Sequence, residues 1–317
     1  MARRIWLPYP DVAAAEAALG PLPEPLVADC FLADGTWPDS IAEVELVVAP
    51  YMHPAPVVME RVGEMASLRA VQLLSAGYDN FLPFLPDGVQ LCNASGVHDA
   101  STAELAVSLA LASNRHLDTY ARNMPTGTWG NDFSTSLADR RVLIVGYGRI
   151  GAAIERRLAG FEVGSVTRIA RRERGGDAPV HPIEHLPALL PDAEVVFVIT
   201  PLTPATEHLI GAAELAALPD GALLVNVARG RVVDTEALVA ETGTGRIRAA
   251  LDVTDPEPLP AEHPLWRTQG VLISPHVGGQ STAFYPRMQR LVRTQLERFA
   301  HDEPLANVVA GPGSSAG

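Results

Sequence analysis

Three side chains suited to proton and anion chemistry stand in separate segments: Arg229 in Asn226-Val-Ala-Arg229-Gly230, Glu257 in Leu251-Asp252-Val-Thr-Asp-Pro-Glu257-Pro258-Leu259, and His276 in Ser274-Pro-His276-Val-Gly-Gly279. Each segment follows a short β-like apolar run, so strand ends are predicted to carry all three residues to one edge of a sheet. Reduction of a 2-oxo acid beside a nicotinamide requires such a set. A planar cation holds the carboxylate with two hydrogen bonds and polarises the ketone, an imidazolium donates the proton, and a carboxylate orients the imidazole. Taken singly, Arg229 reads equally as a surface ion-pair partner, Glu257 as a solvated loop acid and His276 as a satisfied strand-end histidine. Their placement at successive strand ends behind a glycine loop favours a common site.

That loop is Gly146-Tyr147-Gly148-Arg149-Ile150-Gly151, directly after the apolar run Arg141–Val145 and before Ala-Ala-Ile-Glu-Arg-Arg-Leu158. In a strand, glycine loop and helix of this kind, the first glycine makes the tight turn. The second lets a pyrophosphate approach the backbone, and the third lets helix pack on strand. A dinucleotide site is the expectation, against a chance turn or an S-adenosylmethionine site. The next strand ends Val166-Thr-Arg168-Ile-Ala170-Arg171-Arg172, with no acid before Glu173. A carboxylate there would bind the ribose hydroxyls and reject a 2′-phosphate, whereas Arg171 and Arg172 suit that phosphate by charge and fork geometry. NADP is therefore expected in preference to NAD, and a solvated arginine cluster is the alternative.

The composition excludes other chemistry. The 317 residues hold 24 basic and 37 acidic side chains, a net charge of −13, and two cysteines. Every basic residue is arginine, which removes a lysine Schiff base, a pyridoxal-phosphate anchor and a P-loop lysine. Excess acid without a long basic run argues against nucleic acid. Cys30 and Cys92 are too scattered for a disulfide framework or a CxxC metal site, so no metal is expected. Pro8 and Pro10 interrupt the start before a signal peptide could form, and no apolar run reaches the roughly 20 residues that span a bilayer. A cytoplasmic protein without a membrane partner is the expectation.

Two domains fit this length. Short β-like runs (Ile5–Leu7, Glu45–Val48, Ala70–Leu74, Gln90–Cys92) alternate with helical or proline-rich segments up to residue 98. A long helix is predicted over Ser101–Asn123, capped at Thr102-Ala-Glu104; its apolar character predicts burial between domains or at a subunit contact. Six further strands follow: Arg141–Val145, Ser165–Ala170, Val195–Ile199, Ala222–Val227, Ala249–Val253 and Val271–Ile273. A last helix covers Pro286–Phe299, and Gly311–Gly317 reads as a disordered tail. The predicted fold is α/β: two doubly wound parallel-sheet domains, with a dinucleotide-binding Rossmann domain (99–285) inserted into a flavodoxin-like substrate domain (1–98 and 286–317).

GYGRIG, Pro201–Thr206 (PLTPAT), NVARG, DVTDPEPLP and SPHVGG, in this order and spacing, resemble the D-isomer-specific 2-hydroxyacid dehydrogenase family over nearly the whole chain. The resemblance implies that Arg229 binds the substrate carboxylate and carbonyl, that Glu257 supports the histidine, and that His276 is the general acid/base. It implies that Asp252 contacts the nicotinamide carboxamide, that Val227, Ala228, Thr200, Pro201, Thr206 and Gly278 line the cofactor, and that Thr102 lies near its phosphates. Ser75-Ala76-Gly77 matches the loop whose amides hold the substrate carboxylate, and a homodimer through Ser101–Asn123 is implied. Gln stands at the Glu257 position in the related formate dehydrogenases, and a Lys stands at Ala76 in phosphite-oxidising relatives, so both are disfavoured. The missing acid after the second strand resembles the NADP-using glyoxylate and hydroxypyruvate reductases. The expected function is NAD(P)-dependent hydride transfer between nicotinamide and C2 of a small 2-oxo or D-2-hydroxy acid. Alternatives are a non-catalytic dinucleotide sensor like the corepressors of this fold, or an NAD-dependent dehydrogenase of a larger hydroxy acid. Tyr51, Met52, His53, Tyr78 and Trp129 are candidate pocket residues that core packing explains equally well, and His98 reads as a packed or solvated histidine.

Overall fold

The computed structural model describes residues 2–314; Met1 and residues 315–317 lie outside the described residues. The chain divides into two compact units, one running to His98 and resuming at Thr282, the other spanning Asp99–Ser281. The second unit thus ends shortly before the expected position 285.

The first unit opens with β1 (Arg3–Leu7), α1 (Val12–Leu19), β2 (Leu26–Cys30), β3 (Val44–Val48), α2 (Ala55–Val58), β4 (Ala70–Gln72) and β5 (Gln90–Cys92). The second begins with α3 (Asp99–Asn114), α4 (Leu117–Asn123), β6 (Arg141–Val145), α5 (Arg149–Leu158), β7 (Ser165–Ala170) and β8 (Val180–Pro182). It continues with α6 (Leu186–Leu189), β9 (Val195–Val198), α7 (Ala212–Ala217), β10 (Leu223–Asn226), α8 (Thr235–Gly243), β11 (Arg248–Leu251) and β12 (Val271–Ile273). α9 (Phe284–Ala300) and β13 (Val308–Ala310) return to the first unit.

The first sheet has the order β13-β5-β4-β3-β1-β2, parallel except for β13, which runs antiparallel to β5. α9 presents Phe284, Met288, Val292 and Leu296 at helical spacing to a core shared with Ala15 and Leu19 of α1. The second sheet has the order β12-β11-β10-β9-β6-β7-β8 and every pairing is parallel. Its strands are apolar on both faces, as sheets covered on both sides must be. Leu143, Val145, Val196, Val198, Leu224 and Leu251 meet Leu215 of α7 and Leu238 of α8 on one side. The alternate residues Val142, Ile144, Val195, Phe197, Leu223 and Val225 meet Ala106 and Ala110 of α3 and Ile154 and Leu158 of α5 on the other. Strand order reverses between β6 and β9, and ligands of doubly wound sheets bind at the carboxyl ends beside such a reversal.

Several elements differ from expectation for physical reasons. The helix predicted over Ser101–Asn123 starts at Asp99 and is broken between Asn114 and Leu117, where His116 takes φ +56. Ala103, Ala106, Val107, Leu109 and Ala110 pack on the second unit's own sheet and α5. Thr102 does not cap it: the residue is buried inside the helix and its hydroxyl donates to the Gly278 carbonyl at 3.3 Å. β2, β8 and β13 were not expected. β2 and β8 are edge strands, β8 being three residues long and containing Pro182. Gly311–Ser314, expected to be disordered, form a turn in which Ser314 N–H donates to the Gly311 carbonyl at 3.1 Å. Gln90 Nε2 donates to the Pro312 carbonyl at 2.6 Å and ties that turn to β5.

Candidate active site

The glycine loop follows β6 at the reversal point. Gly146 has φ +104, and a Cβ there would lie 2.6 Å from the carbonyl carbon of Ile199 and 2.7 Å from Thr200 N. Glycine is therefore demanded by both conformation and contact. The Gly146 and Tyr147 amides donate to the Ile169 carbonyl at 2.9 and 2.7 Å, which ties the loop to β7. Gly151 sits on Ile144 and the Gly146 carbonyl, each 3.1 Å from a Cβ placed there, so it sets how closely α5 packs on β6. Gly148 differs, because a Cβ there would meet nothing within 4 Å. It leaves open space at the start of α5, where free backbone amides and the helix dipole favour an anion. The loop thus fits a dinucleotide pyrophosphate by a cradle that only a side chain at Gly148 would fill.

Arg149 is engaged by Asp99, Nε to Oδ2 at 2.8 Å, joining the first residues of α5 and α3. Arg168 makes two hydrogen bonds to Glu155 of α5, and the Tyr147 hydroxyl donates to the same carboxylate. The Arg168 hydrogen bond holds the Glu155 carboxyl below the usual glutamate range, against the opposing effect of burial. Arg171 and Arg172 are exposed. Arg174 was missed by sequence reasoning: it donates to the Tyr147 carbonyl, and its guanidinium lies 5.5 Å from the Tyr147 ring centre. Pairing of Arg174 with Val180 across an antiparallel bridge brings it back over the glycine loop. Its position beyond Glu173 gave no local signal.

At the same sheet edge, Thr200 is buried and donates to the Val145 carbonyl at 3.1 Å. The Thr206 hydroxyl donates to the Pro201 carbonyl at 2.6 Å, closing the turn through its own segment. Val227 and Ala228 leave β10 buried. Asn226 shapes the turn that follows: its Nδ2 donates to the Arg229 carbonyl and its Oδ1 accepts from the Ala228 amide, each at 3.0 Å. Arg229 Nη1 donates to the Ala228 carbonyl at 2.9 Å.

Gly230 fixes where this turn meets the next loop. A Cβ on it would lie 1.9 Å from the Thr254 carbonyl oxygen and 2.6 Å from Asp255 N. The backbone after Arg229 therefore rests on the backbone that leads into Glu257. Sequence reasoning passed over Asn226 and Gly230, although both lie in the quoted NVARG segment.

Asp252 is buried and organises the histidine loop. Its carboxylate accepts from Ser274 Oγ at 2.6 Å, the Val277 amide at 2.9 Å and the Gly278 amide at 2.8 Å. The His276 amide donates to the Asp252 carbonyl at 2.8 Å, and His276 takes the left-handed φ of +53. Gly278 admits no side chain, since a Cβ there would lie 2.8 Å from Asp252 Oδ2. Ser101 and Ser281 hydroxyls meet at 2.6 Å, joining α3 to the end of this loop.

His276 Nδ1 is hydrogen-bonded to Glu257 Oε1, and the two side chains are 40% and 41% exposed. The pair is formed yet open to a ligand. Burial raises the Glu257 pKa. The His276 hydrogen bond, the charges of His276 and Arg229, and the Thr254 amide outweigh burial and hold the carboxyl below its usual range. With Nδ1 committed to Glu257, Nε2 is left to carry a proton. Arg229, Glu257 and His276 are thus brought together from the ends of β10, β11 and β12.

Ser75-Ala76-Gly77 lies in the first unit after β4. The Ser75 hydroxyl donates to the Gly77 carbonyl at 2.7 Å, Asn93 Nδ2 to the Ala76 carbonyl at 2.7 Å and the Ala94 amide to the Ser75 carbonyl at 2.8 Å. Among the described residues no protein acceptor takes the Ala76 or Gly77 amide. Tyr51 and His98 stack with Phe284, at ring separations of 4.3 Å for Tyr51 to Phe284 and 5.5 Å for His98 to Phe284. His98 Nε2 is also hydrogen-bonded to the Leu74 carbonyl at 2.8 Å. Met52 and His53 are exposed, Tyr78 is half-buried, and Trp129 is 94% exposed within the second unit.

Residues 107–278 match the model of the D-isomer specific 2-hydroxyacid dehydrogenase NAD-binding domain. A glyoxylate reductase of Thermofilum pendens is 32% identical over 243 residues, covering 73% of this chain and 71% of the relative. The human glyoxylate reductase/hydroxypyruvate reductase is 32% identical over 250 residues, 76% of each chain. The crystal structure of an NADPH-dependent glyoxylate/hydroxypyruvate reductase from Sinorhizobium meliloti, in complex with NADP and malonate, matches with a TM-score of 0.78 at 29% identity. It covers 98% of this chain and 97% of that one. With a family model spanning more than half its length and relatives of this similarity, the chain belongs to the D-isomer specific 2-hydroxyacid dehydrogenase family.

Proposed function

We propose that this chain is an NADPH-preferring reductase of small 2-oxo acids of the glyoxylate and hydroxypyruvate type. The observation that supports it most is the Glu257–His276 hydrogen bond beside the charge of Arg229, at the carboxyl edge that also carries the glycine loop. When bound, the reduced nicotinamide supplies a hydride to C2 of the oxo acid. Arg229 holds the substrate carboxylate by its fork and draws electron density toward the carbonyl oxygen. His276 Nε2 gives its proton to that oxygen as it becomes an alkoxide, and Glu257 keeps the ring in place while the charge changes. The product is the 2-hydroxy acid. The free amides of Ala76 and Gly77 suit the substrate carboxylate, and Asp252 and Gly278 suit the nicotinamide end of the cofactor.

Arg171, Arg172 and Arg174 supply the positive charge that a 2′-phosphate would need after β7, while Arg168 is committed to Glu155. NADPH preference also fits the NADP bound by the Sinorhizobium meliloti relative. A homodimer is part of the proposal. It would run through Ser101–Asn123, where Leu117 is exposed, with the exposed Met124, Trp129 and Phe133 continuing the apolar surface that a second copy would cover. No helix among the described residues is long and apolar enough to cross a membrane; the cytoplasm is the proposed location.

Absorbance of reduced nicotinamide, followed with a panel of 2-oxo acids, tests the reading. Turnover of glyoxylate or hydroxypyruvate with a lower Michaelis constant for NADPH than for NADH is expected, with the preference reduced in Arg171→Asp and Arg174→Asp. No turnover with any acid would favour a non-catalytic dinucleotide sensor. An unchanged preference in both variants would defeat the arginine assignment.

A further inference from the structure

The second sheet has another feature at the edge opposite the glycine loop. A cleft of about 590 Å³ opens between the end of α3, α4 and the amino ends of β11 and β12. That volume suits a small ligand. Arg122, Arg248 and Arg267 line it together with His116 and a single carboxylate, Asp118. Asp118 is taken by Arg122 at 2.6 Å. Arg248 meets only neutral acceptors: the Ser113 carbonyl at 3.0 Å, Ser113 Oγ at 3.3 Å, Asn114 Oδ1 at 2.7 Å and the Gly221 carbonyl at 3.4 Å. Arg267 is exposed, and its side chain makes no hydrogen bond or ion pair among the described residues. Gly270, at φ +81, leaves room for the Arg248 stem, since a Cβ there would lie 3.1 Å from Arg248 Cγ.

Arg248 and Arg267 form no ion pair among the described residues, yet share one concave site in a chain of net charge −13. Burial, with the charge of Arg140 adding to it and Asp118 opposing, holds the Arg248 pKa below the usual arginine value. A half-buried cation paired only with neutral groups gains most from an anion that reaches it. We propose that this cleft is a second anion site that takes a small dianion, a phosphate group or a dicarboxylate, between Arg248 and Arg267. No catalytic residue belongs to it, because it lies at the amino ends of the strands whose carboxyl ends lead to Glu257 and His276.

Calorimetric titration of the full chain with sodium phosphate, and separately with sodium succinate, at constant ionic strength tests this. Wild type is expected to bind at least one of them saturably, and Arg267→Met to bind it about tenfold more weakly, as loss of one charge-assisted contact implies. Because the exposed Arg267 side chain makes no hydrogen bond or ion pair among the described residues, the melting temperature of Arg267→Met should match wild type. Arg248→Met should weaken binding at least as much, provided that its melting curve shows it folded. Phosphate alone, succinate alone or both binding with this dependence supports the site and says which dianion it prefers. Absence of saturable binding of either anion, or equal affinity in wild type and Arg267→Met, overturns it whatever the outcome of the oxo-acid assays.

Discussion

Gly230→Ala tests how the active-site loops are held. The added Cβ would lie 1.9 Å from the Thr254 oxygen, whereas real Cβ atoms keep at least 3.0 Å. The Arg229 turn and the loop leading to Glu257 must therefore separate by about 1.1 Å, and both contacts are backbone, so no side chain can swing aside. Overpacking of this kind costs about 1–3 kcal/mol of stability. Displacement of catalytic groups by roughly 1 Å costs on the order of 10²-fold in rate. Steady-state oxidation of NADPH by glyoxylate or hydroxypyruvate, read beside a melting curve, should show kcat/KM down by about that factor while the protein remains folded at assay temperature. A variant with wild-type kcat/KM and melting temperature would refute the claim that the approach of these two backbones sets the geometry.

Gly148→Ala should leave the melting temperature near wild type, because its Cβ meets no protein atom within 4 Å. It should still raise the NADPH Michaelis constant; an unchanged constant would move the pyrophosphate elsewhere. Arg229→Lys keeps charge but loses the fork, so the oxo-acid Michaelis constant should rise about tenfold, and wild-type kinetics would remove Arg229 from substrate binding. Glu155 has a folded pKa below its unfolded value. Its pairing with Arg168 therefore stabilises above the unfolded glutamate pKa and is lost as pH falls through the folded one. Urea unfolding across that window should show a shallower acid loss for Glu155→Gln, and parallel curves would refute the pairing. Burial pushes the Cys92 thiol up to about 11, despite a hydrogen bond from Gln295. Its thiolate fraction at pH 8 is thus about one in a thousand. Thiol titration should find Cys92 unreactive until urea unfolds the chain; rapid native labelling would contradict its burial.

Much of the fold was legible because its strands are short, apolar runs punctuated by glycine or proline, the pattern that a sheet buried on both faces imposes. Where a strand lies at an edge that pressure relaxes, and Leu26–Cys30 and Val180–Pro182 went unread. The break at His116 was hidden because the apolar pattern continues across it, while the backbone conformation that stops the helix leaves no mark in residue type. At the site, Arg229, Glu257 and His276 could be named from chemistry and spacing. The contacts that position them could not, since they engage backbone groups distant in sequence: Gly230 on Thr254, and the Asp252 carboxylate on the Val277 and Gly278 amides. Arg174 was missed for the same reason, because its place over Tyr147 depends on a chain reversal.

Transfer of deuterium tests the central claim most directly. Reduction of hydroxypyruvate by NADPH carrying deuterium at nicotinamide C4, on the transferred face, should yield glycerate with that deuterium at C2, read by mass spectrometry, and of the D configuration by chiral separation. Glycerate without the label, or no glycerate while NADPH remains bound and unoxidised, would contradict hydride transfer to a 2-oxo acid at this site.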